Sequence, residues 1–432
     1  MSRRLFAALI AVALAVPGPA RAEASAVGAV ATAPGAVRAS APAVVPCPTA
    51  PVQRPRRPAP PPLDAEKRAV GGPALATPGL AIPAGAKPPP AGKLSAKSWV
   101  VADLDTGAVL GSCGAHEYGI PASVQKLLLV ATMMPRLNPA QVVQVTRADL
   151  NIEPYSSAVG LVEGGRYKIE TLWLGLLLVS GNDAANVLAR VGGGTGTAAG
   201  GVAAMNAEAK RLGAYQTHAA TPSGLDGPAQ FTSAYDLALI ARVGFAREDF
   251  RRYAKTEWTQ VPPQKPNIKS FQIQNDNQLI HRYPGALGGK TGYTDLARHS
   301  YVGAAERNGR RLVVTLLGAE AQPARGWQQG AALLDWGFGL PRNASVGRLV
   351  TPEDVGPKPT PTARVGRTAA EAVAKGLQQP PGADKSGPVP LAVAVLSAVG
   401  GTAVLLAAAL LLVRRRKRRV ARRRRTGAPV RG

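Results

Sequence analysis

Hydrophobic positions along this chain fall into three regimes. Leu5 to Val16 is a short uncharged apolar run, and Leu391 to Val413 is a longer one with no charged residue. Between them, periodic patterns occupy residues 94–345. Ser98 to Leu104 alternates as a strand does, Asp105-Thr106-Gly107 reads as a turn, and Ala108 to Gly111 returns as the second strand of a hairpin. Pro121 opens a predicted helix containing Ser123 to Met134, because proline is tolerated in a first turn and long apolar residues follow. Further helices are predicted over Ile169–Val179, Asp183–Val191, Gly201–Leu212 and Ser233–Val243, the second of these stopped by Gly192-Gly193-Gly194. After Lys290 the period shortens to that of strands. Ser300–Glu306 and Arg311–Leu317 flank Asn308-Gly309, a type I′ hairpin signal, and Ala331–Phe338 closes the region as a helix. Helices in the middle and an antiparallel sheet built from both ends predict an α+β fold. That arrangement sets Lys290-Thr291-Gly292 on a strand beside the helix carrying Ser123.

The regions outside this domain speak about location. Arg3 and Arg4, the run to Val16, and Ala20-Arg21-Ala22 make residues 1–22 a secretory signal. Residues 391–413, as a helix, would reach about 34 Å, enough to cross a bilayer. The basic tail over 414–432, opening with Arg414-Arg415-Arg416-Lys417-Arg418-Arg419, would stay on the cytoplasmic side. The chain is therefore expected to be a single-pass cell-membrane protein whose domain faces outward. Residues 23–93 and 346–390 are rich in Ala, Pro and Gly, and are expected to be a disordered spacer and a disordered stalk.

This layout changes the meaning of the net charge of +26. The tail alone carries eleven Lys and Arg and no acid, leaving about +15 elsewhere. A membrane stop signal accounts for that block, and no aromatic-studded basic domain accompanies it, so no nucleic-acid partner is expected. Cys47 and Cys113 are the two cysteines. An oxidising exterior permits a bridge between spacer and domain, and two unpaired thiols are the alternative.

Three motifs carry the candidate chemistry: Ser123-Val124-Gln125-Lys126, Ser180-Gly181-Asn182 and Lys290-Thr291-Gly292. Singly they are weak, since a Ser-x-x-Lys tetrad is usually a helix with a solvated lysine. Together they outline a serine acyl-transferase without a catalytic histidine: a nucleophile with a lysine one turn away, a polar Ser/Asn pair, and a segment suited to a strand edge. His116, His218, His281 and His299 lack metal-type spacing, neither cysteine has a metal-site pattern, and no cofactor is called for.

Pro121-Ala122-Ser123-Val124-Gln125-Lys126, Ser180-Gly181-Asn182-Asp183-Ala184-Ala185-Asn186 and Lys290-Thr291-Gly292-Tyr293-Thr294 resemble the serine D-alanyl-D-alanine carboxypeptidases. These are the low-molecular-mass penicillin-binding proteins, whose fold is shared with serine β-lactamases. Thr221-Pro222-Ser223-Gly224-Leu225-Asp226 and Met205-Asn206-Ala207 are similar to further landmarks of the family. The resemblance implies Ser123 as nucleophile and Lys126 as its base, with Lys290 as a second cation that lowers the lysine's pKa. Ser180 would relay a proton to the leaving amine, and Asn182 would hold Lys126 and the substrate amide; both also suit a helix N-cap. Lys290 and Thr291 would bind the substrate carboxylate, assisted by Arg298 or Arg325, while Gly292 lets substrate backbone approach. Backbone N–H groups of Ser123 and Tyr293 would form the oxyanion hole. The implied partners are peptidoglycan stem peptides, and β-lactams as acylating inhibitors.

One departure is visible. Leu287-Gly288-Gly289 precedes Lys290 where the family commonly has Asp-Gly and a hydrophobic residue, so a loosened strand edge is expected there. A β-lactamase would add a glutamate base, and no such motif lies between Ser180 and Lys290. A non-catalytic peptidoglycan scaffold would have no need of the complete motif set.

Overall fold

The computed structural model describes residues 44–52, 59–62 and 64–355. The expected signal, membrane helix and basic tail lie outside these residues.

A seven-stranded antiparallel sheet forms the centre. Its strands are β1 (Leu80–Ala81), β2 (Ser98–Asp103), β3 (Ala108–Cys113), β4 (Ala286–Thr294), β5 (Arg298–Arg307), β6 (Arg310–Ala319) and β7 (Gly347–Arg348). The order is β1-β3-β2-β6-β5-β4, with β7 also paired to β3. β4, bearing the Lys-Thr-Gly motif, thus lies at the sheet edge, with β5 as its one paired neighbour among the described residues. The β5–β6 turn has φ of 50° at Asn308 and 68° at Gly309, the two positive values that a type I′ turn demands.

Of the seven main helices among the described residues, all but α6 overlap predicted spans, α7 starting five residues earlier than expected: α1 (Lys126–Met133), α2 (Ile169–Leu178), α3 (Asn182–Gly192), α4 (Ala198–Leu212), α5 (Ala234–Ala246), α6 (Glu248–Lys255) and α7 (Gly326–Phe338). Helix α6 was not predicted, because its sequence is mostly charged and only Phe250, Tyr253 and Ala254 turn inward. Two small two-stranded sheets also escaped the pattern, Val142–Gln144 with Arg166–Lys168 and Trp258–Val261 with Phe271–Gln274.

Both sheet faces are buried, which explains why the central strands read as almost continuously apolar. Val100 and Ala102 of β2 join Leu128, Trp173 and Leu188 in the larger, helical core. Trp99 and Val101 point the other way, to Leu333 and Leu334 of α7. Strand β6 divides likewise, Val313 and Leu317 to one side and Leu312, Val314 and Leu316 to the other.

The domain extends past both boundaries expected from composition. The spacer expected over 23–93 is structured along much of its described part. Leu75 is fully buried in a 3₁₀ turn, β1 pairs with β3, and Ala50 N–H donates to Leu94 O at 2.7 Å. The stalk expected from residue 346 begins instead with β7, after which Leu349 and Val350 are buried. The physical reason is the same at both ends. Few apolar residues are present, but they cover the free edge of β3, which would otherwise expose unpaired backbone groups.

Cys47 and Cys113 are joined in a disulfide with their Cα atoms 5.6 Å apart, which resolves the open alternative in favour of the bridge. It ties the N-terminal segment to the end of β3 across a sequence separation of 66. Loop closure of that length is worth about 4 kcal/mol in the chain-entropy description. A Cys47→Ser, Cys113→Ser double variant is therefore expected to unfold at clearly lower denaturant than the oxidised protein. An unchanged urea midpoint would show that the strap contributes nothing.

Candidate active site

Ser123 sits in a tight 3₁₀ turn, Ala122–Gln125, rather than in the α-helix predicted from Pro121 onwards. The tighter winding matters. In a 3₁₀ turn residues i and i+3 eclipse, so Ser123 and Lys126 stand directly in line. Two contacts hold the turn in place. Ser300 Oγ on β5 donates to Pro121 O at 2.5 Å, and Gly224 packs so closely on Ala122 that a Cβ there would lie 1.9 Å from Ala122 O. Ala122 itself has φ of 49°, a left-handed conformation unfavourable for alanine and stabilised by these contacts.

Lys126 is completely buried, and its Nζ has three partners: Ser123 Oγ at 2.8 Å, Asn182 Oδ1 at 2.7 Å and Ser223 O at 2.9 Å. Burial pushes its pKa well below the usual lysine value, and the nearby Lys290 cation pushes it further down. In its neutral form the amine would have two N–H bonds and one lone pair. Asn182 Oδ1 and Ser223 O are acceptors and take the two N–H groups. In that form the lone pair would face the Ser123 hydroxyl, 2.8 Å away. Ser223, from the loop similar to a family landmark, was not singled out as a site residue. Its contribution is a backbone carbonyl, which side-chain chemistry does not advertise.

The Ser-Gly-Asn motif joins α2 to α3. Asn182 is buried at the start of α3, where its side chain meets Lys126 instead of capping the helix. Ser180 adopts φ of 60°, and its buried hydroxyl has no hydrogen-bond partner among the described residues. A strained backbone and an orphaned hydroxyl together cost on the order of 2–4 kcal/mol, a combination found where a polar group awaits a substrate. Asp183, which sequence reasoning treated only as a helix start, accepts N–H bonds from Val159, Gly160, Leu161 and Ala184. It fixes the loop beside the motif and has no oxygen left over.

The third motif approaches from β4. Lys290 is buried with its Nζ donating to Thr291 O at 2.6 Å, and burial lowers its pKa to about 7 against the opposing influence of Asp276. Gly292 abuts the nucleophile turn: a Cβ there would lie 2.9 Å from Ser123 N and 3.1 Å from Val124 N. The motif requires glycine because any side chain would push the strand away from Ser123. The loosening expected from Leu287-Gly288-Gly289 does not occur. A β-bulge between Ala286 and Gly288 is tightly packed, with φ of 92° at Gly288 and 150° at Gly289. A Cβ would lie 2.4 Å from Ala254 O at the first and 2.0 Å from Val302 O at the second. The extra glycine lets the strand bend under α6 while Lys290 stays buried.

The two auxiliary arginines differ. Arg298 is committed to Glu320, at 3.0 Å, and to Tyr293 Oη, at 2.8 Å, so its charge is neutralised within the protein. Arg325 stands exposed at the N-terminus of α7. Among the described residues no group of three or more His, Cys, Asp or Glu converges on a metal-sized space.

With this geometry in view, comparison with known proteins is specific. Residues 84–321 match the family model described as D-alanyl-D-alanine carboxypeptidase. The chain is 44% identical to the D-alanyl-D-alanine carboxypeptidase DacB2 of Mycobacterium tuberculosis over 62% of this chain and 90% of the relative. It is 34% identical to DacD of Salmonella typhimurium, covering 61% and 67%. A crystal structure of a D-alanyl-D-alanine carboxypeptidase from Mycobacterium tuberculosis aligns with a TM-score of 0.58 at 43% identity, over 62% of this chain and 99% of that one. The Streptomyces K15 DD-transpeptidase aligns at 0.54 and 27% identity, over 57% and 98%. The shared α+β architecture and the three motifs agree with these matches: the chain belongs to the D-alanyl-D-alanine carboxypeptidases, a family of serine hydrolases.

Proposed function

We propose that the protein is a membrane-anchored enzyme that removes the terminal D-alanine from peptidoglycan stem pentapeptides through a Ser123 acyl-enzyme. The observation that carries this reading is the position of the buried Lys126 Nζ, 2.8 Å from Ser123 Oγ and held there by Asn182 Oδ1 and Ser223 O. Ser123 gives its proton to Lys126 Nζ as Oγ attacks the carbonyl of the penultimate D-alanine. Backbone N–H groups of Ser123 and Tyr293 receive the developing oxyanion. The Ser180 hydroxyl relays the proton held by Lys126 to the leaving nitrogen, the C–N bond breaks, D-alanine departs, and Lys126 is left neutral again. Water then cleaves the Ser123 ester, Lys126 again acting as base. Lys290 and Thr291 hold the substrate carboxylate, and Asn182 orients both Lys126 and the substrate amide. Arg325, unlike Arg298, has a charge to offer that carboxylate.

Penicillins, which mimic the acyl donor, would acylate Ser123 and hydrolyse slowly. A β-lactamase would need a free carboxylate to activate water. Asp183, beside Asn182, is consumed by four backbone N–H groups. The apolar segment 391–413 and the arginine block after it support a single-pass anchor with the domain outside.

The test is direct. The purified protein should release D-alanine from an acyl-D-Ala-D-Ala peptide, and a penicillin adduct should map by peptide mass spectrometry to Ser123. An adduct elsewhere, or no D-alanine, would sink the proposal. The pH profile gives a second check. Lys290 binds a carboxylate only as a cation, and its pKa lies at about 7. Protonation is lost as pH rises through that value, so kcat/KM is expected to fall on the alkaline side from about pH 7. A profile flat to pH 10 would remove Lys290 from carboxylate binding.

A further inference from the structure

The two-stranded sheet of Trp258–Val261 and Phe271–Gln274 has two unlike faces. Val261 and Ile273 turn inward and join the larger core. The opposite face holds the cross-strand pairs Trp258 with Gln274 and Gln260 with Gln272, and all four residues are exposed. All five tryptophans lie among the described residues, and Trp258 is the most exposed of them, at 55%. Its indole has no ring or hydrogen-bond partner among the described residues, and the three glutamine amides have no hydrogen-bond partner there.

The four positions span about 7 Å along the strands and about 5 Å across them, the scale of a sugar ring. An indole offers a flat apolar surface. Each glutamine amide adds two N–H donors and a carbonyl acceptor. That combination suits a ring with one face of C–H groups and a rim of hydroxyl and acetamido groups. The four residues carry no charge, in a chain whose net charge is +26. The face is therefore complementary to a neutral polymer and not to a phosphate-rich polymer or an anionic lipid.

The face is also continuous with the cleft. Two residues past Gln274, Asp276 N–H donates to Leu178 O at 3.0 Å, and the Asp276 carboxylate acts on Lys290. Leu178 lies two residues before Ser180. The asparagines on either side brace this connection. Asn275 Nδ2 donates to Thr256 O at 2.9 Å, and Asn277 Oδ1 accepts from Tyr301 Oη at 3.0 Å. A polymer seated on the face is thereby held at a fixed position relative to the second and third motifs.

We propose that this face binds the glycan strand of peptidoglycan, with an N-acetylated hexosamine stacked on Trp258 and its substituents hydrogen-bonded by Gln260, Gln272 and Gln274. The choice of that glycan as occupant rests on the carboxypeptidase reading above, since stem peptides hang from such strands. A platform of this kind raises the local concentration of stem peptides without touching the peptide itself.

The experiment uses the full chain in detergent and two readouts. Calorimetry with soluble β-linked N-acetylglucosamine oligomers should show binding to the wild type and near-normal binding to Trp258→Tyr. Binding to Trp258→Ala should be at least about ten-fold weaker, the loss that follows truncation of an aromatic anchor. D-alanine release is then compared for a free stem pentapeptide and for the same peptide carried on soluble glycan chains. Trp258→Ala should leave kcat/KM for the free peptide unchanged and lower that for the glycan-linked peptide about ten-fold. Circular dichroism melts should overlay, because the side chain lies outside the core. Oligomer binding equal in wild type and Trp258→Ala, or absent from both, would overturn the inference. So would Trp258-dependent binding of a phosphate-rich polymer or of anionic vesicles in place of the oligomers. Those outcomes leave the carboxypeptidase reading standing as long as the free peptide releases D-alanine. Release from neither peptide, with Trp258-dependent oligomer binding intact, would sink that reading and not the platform.

Discussion

Lys126→Met is expected to reduce acylation of Ser123, by peptide or penicillin, by roughly 10⁴- to 10⁶-fold, the range seen when a nucleophile's base is removed from a serine hydrolase. Methionine has nearly the shape of lysine and leaves no cavity, so the loss isolates the chemistry. Stability should move little. The substitution leaves Asn182 Oδ1 and Ser223 O without a donor, which costs about 1–3 kcal/mol each. Against that, the protein no longer has to bury an amine that water would rather hold as a cation, a penalty visible in the lowered pKa of Lys126. Circular dichroism melts should therefore overlay within a few degrees while penicillin labelling disappears. Labelling at the normal rate would transfer the role of base to another group. Lys290 would be the first candidate, since its pKa of about 7 also makes a neutral amine accessible.

Ser123→Ala is expected to have an effect at least as large, and of a different kind. Without Oγ no ester can form, so the penicillin adduct should vanish from the mass spectrum altogether. Residual turnover should approach what binding and oxyanion contacts alone supply. Binding is the discriminating measurement. Lys290, Thr291 and the backbone N–H groups of Ser123 and Tyr293 remain, so a D-Ala-D-Ala peptide should still bind by calorimetry with an affinity near the substrate's. A covalent adduct on the variant would mean that the nucleophile had been misidentified. The contrast between the pair is informative: Lys126→Met keeps a nucleophile with no base, and Ser123→Ala keeps a base with nothing to deprotonate.

Much of the site was legible in the chain because the chemistry is compressed into short motifs. Ser123 and Lys126 are three residues apart, and helical winding of either type brings them together. Asn182 and Lys290 are distant in sequence, but the alternation of helical and strand periods already set the third motif on a strand beside the first. The sheet-to-helix order, the Asn308-Gly309 hairpin and most helix spans followed from periodicity for the same reason. Apolar spacing reports which face is buried, and here each element buries at least one face against a neighbour.

What was missed has a common cause. Residues 44–52, 64–93 and 346–355 have too little hydrophobicity to fold alone, and composition reads them as spacers. They become ordered because β3 offers an unpaired edge and Cys113 offers a sulfur, features of a partner that local pattern cannot register. Ser223 and Gly224 belong to the site through a backbone carbonyl and a close backbone approach, which carry no side-chain signature. Gly288 and Gly289 looked like slack and proved to be packing, since only the position of Ala254 and Val302 makes a Cβ intolerable there.

Motif spacing in the chain was enough to name Ser123, Lys126 and Lys290 as candidates for nucleophile, base and carboxylate site, because these are residue types at short, fixed separations. The surroundings that lower the pKa of Lys126 arise only in the folded protein. Lys126 is an ordinary lysine until burial removes its water, Lys290 sets a second amine nearby, and two carbonyl oxygens take its hydrogens. Those are through-space effects of groups from four separate elements, and no local stretch of chain contains them.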